Sequence, residues 1–306
     1  MRQVKGKTLT GYMFTIASAV VYGCMPLLTR FIYADGMNAV GLVFIRNLLS
    51  IPMLAAATKI SGAKILIPRR SLPSVGVLTT LGCCITPMLL YLSYTEVDTG
   101  VATVLHFVFP AVVMLIGVVF LKHRVTLVSG ISLALSIGGI AMFYTPGAEI
   151  GIFGGIIAIF SGVVYAVYIV GISKFEYSEI SCLAFNLWGS VFSTAVSFFI
   201  CLFSGMLCFP TTVGGFLLCV LLAMFSNLVA VVLFQSGAAI IGGERASILS
   251  TAEPIVSVAV GIAFLGEPFG FASLIGSALI ILASILIAVS DLRKKVKPTL
   301  DNDPDM

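Results

Sequence analysis

The chain has 306 residues, of which 59% are hydrophobic and 10% charged. Soluble globular domains carry about 25% charged residues, so the composition argues against a soluble fold and makes lipid the main solvent. The net charge of +4 resides in loops and tails, where membrane topology accounts for it better than a nucleic-acid partner does.

A bilayer core about 30 Å thick needs about 20 apolar residues per helix. Segments of that kind recur at 10–33, 39–57, 74–95, 99–121, 126–144, 151–173, 180–203, 213–236, 245–265 and 269–290. Ten transmembrane helices are expected, because an isolated span must satisfy its own backbone hydrogen bonds. Continuous apolar runs such as Leu279 to Val289 lack the alternation of a membrane barrel. The first span resembles a signal peptide, with Arg2, Lys5 and Lys7 before it and Ala17-Ser18-Ala19 inside it. Its apolar stretch runs on to about Tyr33 and has a counterpart later in the chain, so it reads as a retained helix.

Fifteen of the 17 bases fall on one side of this layout. Arg2, Lys5, Lys7, Lys59, Lys64, Arg69, Arg70, Lys122, Arg124, Lys174, Arg245 and Arg293 to Lys297 share that side. The opposite loops hold Asp35, Glu96, Asp98, Glu149 and Glu267. The positive-inside rule then predicts a multi-pass cell-membrane protein with both termini in the cytoplasm. Seven cysteines lie in or near apolar segments without a C-x-x-C pair, and only two histidines occur. No metal or cofactor is expected, and the cysteines read as small hydrophobes.

The second half repeats the first. Residues 11–22 align on 154–165 at a shift of 143, and residues 102–121 align on 246–265 at a shift of 144, pairing Pro110 with Pro254. The units 1–148 and 149–306 would each hold five helices, and an odd number inserts the second copy upside down. Inverted repeats place a solute site near the midplane between halves.

The Phe-Ile-Arg-Asn context of Arg46, the stretch Phe109-Pro110 to Phe120-Leu121, and its partner Ala252-Glu253-Pro254 to Pro268 resemble the drug/metabolite transporter superfamily, in its ten-helix EamA-type branch. The resemblance spans nearly the whole chain. It implies an all-α integral membrane protein of two inverted five-helix repeats around a cavity open alternately to each side. Lys122-His123-Arg124 in the first half departs from Gly266-Glu267-Pro268 in the second, so the gate ends are expected to differ. The superfamily's solutes are diverse and leave the substrate open.

Several polar residues within spans are candidates for substrate contact. Glu253 costs about 2.5–3.5 kcal/mol near mid-membrane as a charge, so it should face a cavity, a partner or a proton; a neutral structural carboxyl is the alternative. Arg46 suits a substrate carboxylate or phosphate, or a pairing with Glu253. His106 reads as a solute contact or a packing residue. Tyr22, Tyr165, Tyr91 and Trp188 offer faces for planar or cationic groups, or serve as interfacial anchors. Asn227 binds solute or joins helices. Pro110 and Pro254 free the carbonyls of His106 and Ser250 and are expected to kink or gate their helices.

Rival functions fit less well. No phosphate-binding G-x-x-x-x-G-K loop, clustered aspartates or intramembrane lysine is present. The expected function is alternating-access transport, leaning to export, of a small polar or amphiphilic metabolite such as an amino acid. The expected partners are that solute, the bilayer and a coupled proton or ion. A channel or a structural membrane protein is the alternative.

Overall fold

The computed structural model describes residues 2–96, 102, 105–120, 126–142, 152–174, 180–265 and 271–296. Among the described residues, six apolar helical stretches are each long enough to cross a bilayer: Thr8–Ala34, Ala39–Ile60, Arg69–Ser93, Ile152–Ser173, Cys182–Ser204 and Val213–Ile241. Phe109–Val119, Leu127–Ala141, the pair Gly243–Ser250 and Glu253–Leu265, and Phe271–Val296 stand where the other spans are predicted. Among the described residues there is no strand. The predicted boundary at 148/149 and the contrasting segments 122–124 and 266–268 lie outside the described residues.

Local chemistry sets the helix ends. Asn38, Thr126, Ser181 and Thr212 each accept a backbone N–H from three residues on, the usual N-cap bond. Gly62 and Gly205, each with positive φ, follow the Ala39–Ile60 and Cys182–Ser204 helices. Both the caps Asn38 and Ser181 and these two glycines are separated by 143 residues, the shift seen at the first span.

Interruptions recur at equivalent places in two pairs of spans, the third with the eighth and the fourth with the ninth. The break in the first span has no counterpart in the continuous Ile152–Lys174 helix. The first span is two helices, Arg2–Gly23 and Met25–Ala34, the second carrying Pro26 in its first turn. The third and eighth spans contain π turns at Thr80–Ile85 and Met224–Ala230, beginning 144 residues apart. The spans that carry Pro110 and Pro254, where a kink or gate is expected, are broken beside each proline. Residues 107–108 and 251–252 are turns, so each proline lies in the first turn of a new helix. There its missing N–H and fixed φ do no harm.

Packing follows the same exchange of halves. Ala39–Ile60 lies along its counterpart Cys182–Ser204, and Leu127–Ala141 along Phe271–Val296. Arg2–Gly23 packs on Val231–Ile241 and Glu253–Leu265, and Ile152–Lys174 packs on Thr86–Ser93 and Phe109–Val119. The result is two equivalent three-span bundles facing each other. Small residues permit the closest approaches: a β-carbon on Gly162 would overlap the carbonyl of His106, and one on Gly139 that of Gly276. This is how helices associate in lipid, where close packing substitutes for a hydrophobic drive.

Candidate functional site

A cavity of about 950 Å³, counted to its open mouth, lies between the two bundles. Its centre is built from equivalent positions of the two halves. Tyr22 and Tyr165, Met25 and Tyr168, Gly82 and Ser226, Cys83 and Asn227, Pro87 and Val231, His106 and Ser250, and Phe109 and Glu253 all line it. The remaining wall, made of Pro26, Thr29, Arg46, Thr86, Leu90, Tyr91 and Tyr94, comes wholly from the first half. The cavity therefore runs from the interrupted turns toward the end that carries Asp35 and Glu96. At the equivalent positions of the second half, Ile169, Ile172, Phe234 and Ala238 are buried in a hydrophobic cluster with Phe107, Phe109 and Ile248. One side of the centre is open and its counterpart is sealed.

The π turns shape the chemistry at this centre. A π turn lets a carbonyl escape the i→i+4 ladder, and that of Cys83 accepts from Arg46 Nη2–H at 2.9 Å and from Asn47 Nδ2–H at 3.1 Å. Asn227, in the other π turn, donates from Nδ2 to Asn47 Oδ1 at 3.0 Å and to Ser50 Oγ at 2.8 Å. Arg46, only 5% exposed, also reaches the Tyr91 hydroxyl at 3.5 Å and stands 6.0 Å from that ring's centroid. Its hydrogen bonds go to a carbonyl and a phenol rather than to a carboxylate.

The aromatic side is a connected cluster. The rings of Phe109 and Tyr165 meet edge to face at 5.0 Å, His106 lies 5.6 Å from both, and Tyr165 stacks on Tyr168 at 5.8 Å. His106 Nδ1 is 2.7 Å from Ser161 Oγ, whose own proton goes to the carbonyl of Ala158. The serine can then only accept, so His106 carries its proton on Nδ1 and keeps Nε2 as an acceptor. Glu253 is partly buried and opens its helix.

The structure thus brings Tyr22, Arg46, Tyr91, His106, Tyr165, Asn227, Ser250 and Glu253 onto one cavity. It sets Trp188 apart. That indole donates to the carbonyl of Ile65 at 2.9 Å and packs on Phe192, because its helix begins at the opposite end of the bundle. Ser250 lines the wall, but its hydroxyl donates back to Ala246. Asn186, a further polar residue within a span, pairs reciprocally with Gln235, which also donates to Tyr168.

Two stretches of the chain, 9–145 and 152–289, each match the model of the EamA-like transporter family. The chain belongs to the EamA-like transporter family. Its two matched stretches coincide with the two halves that exchange in the packing. An uncharacterised transporter of Archaeoglobus fulgidus is 30% identical over 214 residues, covering 69% of this chain and 76% of that protein. The uncharacterised inner membrane transporter YicL of Salmonella typhimurium is 23% identical over 310 residues, covering 94% and 98% of the two chains. A solved crystal structure shares the fold, with a TM-score of 0.77 at 15% identity over 94% of this chain and 98% of that one. The chain is accordingly a multi-pass membrane protein of a transporter family, with a small-molecule solute and the bilayer as its partners.

Reading residues one at a time misses Thr29, Asn47, Thr86, Phe109 and Tyr168 in this EamA-like transporter. The repeat shift itself is the signal that finds some of them. Carrying Glu253 back by 144 gives Phe109, and carrying Met25 forward by 143 gives Tyr168.

Proposed function

We propose that this protein is an alternating-access secondary carrier that exports a small zwitterionic metabolite, of amino-acid type, across the cell membrane. The observation that supports this best is the asymmetry of the cavity. Symmetric positions line an open vestibule on one side of the centre and a sealed hydrophobic plug on the other. Exchange of these roles between the halves would move the opening to the opposite face without a new fold, which is what inverted repeats provide. With both termini cytoplasmic, the observed opening faces outward.

Arg46 and Glu253 give the cavity one positive and one negative group, which suits a solute carrying one of each. The rings of Tyr22, Tyr91, His106 and Tyr165 would hold its apolar body. A proton on Glu253 would serve as the coupled ion. The test is countertransport in proteoliposomes containing the full chain. Saturable uptake of labelled amino acid, accelerated by unlabelled amino acid on the far side, is expected. A continuous conductance without saturation or countertransport would favour a channel and defeat the carrier reading.

A further inference from the structure

Hydroxyls in the spans of this protein usually donate to a carbonyl three or four residues back, as Thr15, Ser50, Thr58, Thr79, Ser226 and Ser250 do. Five buried hydroxyls among the described residues have no hydrogen-bond partner: those of Tyr33, Ser132 and Thr194, which lie off the cavity, and those of Thr29 and Thr86, which line it. Nε of Arg46 is likewise buried without one. Thr29, Arg46 and Thr86 are 3%, 5% and 5% exposed, stand on three different helices, and all line the same cavity. An unpartnered buried donor costs roughly 1–3 kcal/mol, and groups bonded to a charge recover the most. Such a cost is retained where another state of the protein, or a ligand, supplies the partner.

The repeat sharpens the point. The equivalents of Thr29, Arg46 and Thr86 in the second half are Ile172, Gly189 and Ala230, none with a polar side chain. The three donors therefore form a feature of one half only, on the open side of the centre. Glu253 occupies the other half, opposite a phenylalanine at the equivalent position.

We propose that Thr29, Arg46 and Thr86 form a carboxylate subsite that closes around the acid group of the solute and fixes which way the solute points. This rests on the carrier reading above and names the group it recognises. With His106 in its neutral form, Arg46 is the one cationic and Glu253 the one acidic side chain among the described lining residues, so a singly charged carboxylate with an amine elsewhere leaves the filled cavity neutral. A phosphate dianion would leave excess negative charge in a low-dielectric site, which is strongly disfavoured. Closure turns the two hydroxyls and Nε onto the carboxylate oxygens, so the unsatisfied donors of the open state favour occlusion only when an acid group is present.

The test uses the purified full chain and a thermal-shift panel. Glycine, L-threonine, L-leucine and L-phenylalanine are compared with their amides and with the matching amines that lack the carboxylate. The acids should raise the apparent Tm, while the amides and amines should not. Thr29→Val and Thr86→Val should each weaken the apparent affinity for the acids roughly tenfold, the size of one hydrogen bond to a charged group. Thr29→Ser and Thr86→Ser should restore it, and Phe203→Leu, at an exposed position off the cavity, should leave it unchanged. Amides that stabilise as well as acids, valine variants with undiminished affinity, or a panel in which no acid stabilises the wild type would each overturn the subsite. Should a valine variant fail to fold, the serine variant still decides, because loss of affinity with the hydroxyl retained contradicts the proposal. Flux separates the two readings: amides carried as fast as acids would defeat the subsite alone, whereas acid binding without countertransport would defeat the carrier alone.

Discussion

Asn47 accepts a 3.0 Å hydrogen bond from Asn227 while donating to the Cys83 carbonyl, so one side chain holds together the two π turns. These turns belong to helices from opposite halves and begin at equivalent positions. Asn47 is fully buried, and its amide satisfies one group on each side of the centre.

Removing this strut should uncouple the two turns. Asn47→Ala and Asn227→Ala are each expected to lower stability, and the double variant should lose less than the sum. Interhelical polar pairs in membranes average about 0.6 kcal/mol and reach about 1.7 kcal/mol in such cycles, which sets the coupling to look for. Asn47→Asp keeps the acceptor for Asn227 but lacks the donor to Cys83, so it should retain part of the coupling. Denaturant unfolding of the purified variants measures this, and strictly additive losses would contradict the strut.

Much of this arrangement is legible in the amino-acid sequence. The apolar spans follow from length, since a bilayer accepts little else, and the two repeat shifts anticipated equivalent positions as far apart as Pro110 and Pro254. The cavity lining is readable from sequence wherever a residue is anomalous in lipid, as Arg46, Glu253 and His106 are. Thr29 and Thr86 were silent because a single hydroxyl in an apolar helix is ordinarily bonded to its own backbone, and only the fold reveals that these two are not. The breaks at 107–108 and 251–252 cannot be told from kinks in the sequence, because proline permits both. The place of Trp188 off the cavity is not legible in the sequence, because an aromatic residue in a span can face solute, lipid or protein.

Close packing at Gly162 supplies a second prediction. The carbonyl of His106, released from the helix ladder by Pro110, lies where a β-carbon of residue 162 would be. Gly162→Ala must push backbone rather than a flexible side chain, and overpacking of this kind costs typically 1–3 kcal/mol. The displaced segment carries His106 and Phe109, so solute affinity should fall together with stability. An alanine variant with wild-type Tm and affinity would show that the two helices do not meet here.

Orientation can be checked directly. Both termini and the segment around Ile60 should face the cytoplasm, with Glu96 and the Asp35 region on the other side. Single cysteines at Ile60 and Glu96 on a cysteine-free background should label from opposite faces with an impermeant maleimide. Labelling of both from the same face would reject the arrangement and with it the outward direction of the open cavity.

Asp35 fastens two loops at the mouth of the cavity. Its carboxylate accepts from the Thr212 hydroxyl at 2.6 Å and from the Thr211 N–H at 2.8 Å, while its carbonyl accepts from the Thr211 hydroxyl. Thr212 caps the Val213–Ala223 helix, so the charge also meets the positive end of a helix. The bond from Thr212 foremost holds the Asp35 carboxyl below its usual range, against a smaller opposing effect of desolvation. A depressed acid contributes its stabilisation in full above the unfolded pKa of about 4 and loses it as pH falls through the lower folded value. Hydrogen exchange in residues 205–212 should therefore be slow and flat from neutral pH down to about 4, once corrected for intrinsic rates, and accelerate only below. Asp35→Asn should exchange faster than the wild type above pH about 4, lack that dependence, and converge with the wild type at the acid end. A variant as protected as the wild type would remove the latch.

Glu253 provides the most direct test of mechanism. It stands beside a helix break at the centre of the cavity, and the equivalent position in the first half is Phe109, so the fold does not require an acid at this place. An ionised acid at such depth costs about 2.5–3.5 kcal/mol on insertion scales, a cost that proton or amine binding relieves. Glu253→Gln keeps the shape and most of the hydrogen-bonding capacity while abolishing the charge. It should fold with an unchanged or slightly higher Tm, because the charge penalty is gone. It should also lose driven flux and the dependence of flux on pH, while binding of the solute's acid group at Arg46 persists in part. Glu253→Asp, which restores a charge one methylene shorter, should recover pH dependence at reduced rate. Uptake across a pH series, measured beside Tm and yield for each variant, separates the outcomes. Normal, pH-sensitive transport by the Gln variant would sink the role, and joint loss of folding and flux would make the acid structural. A folded Gln variant that binds solute but fails to drive it would place the carboxylate in the transport cycle itself.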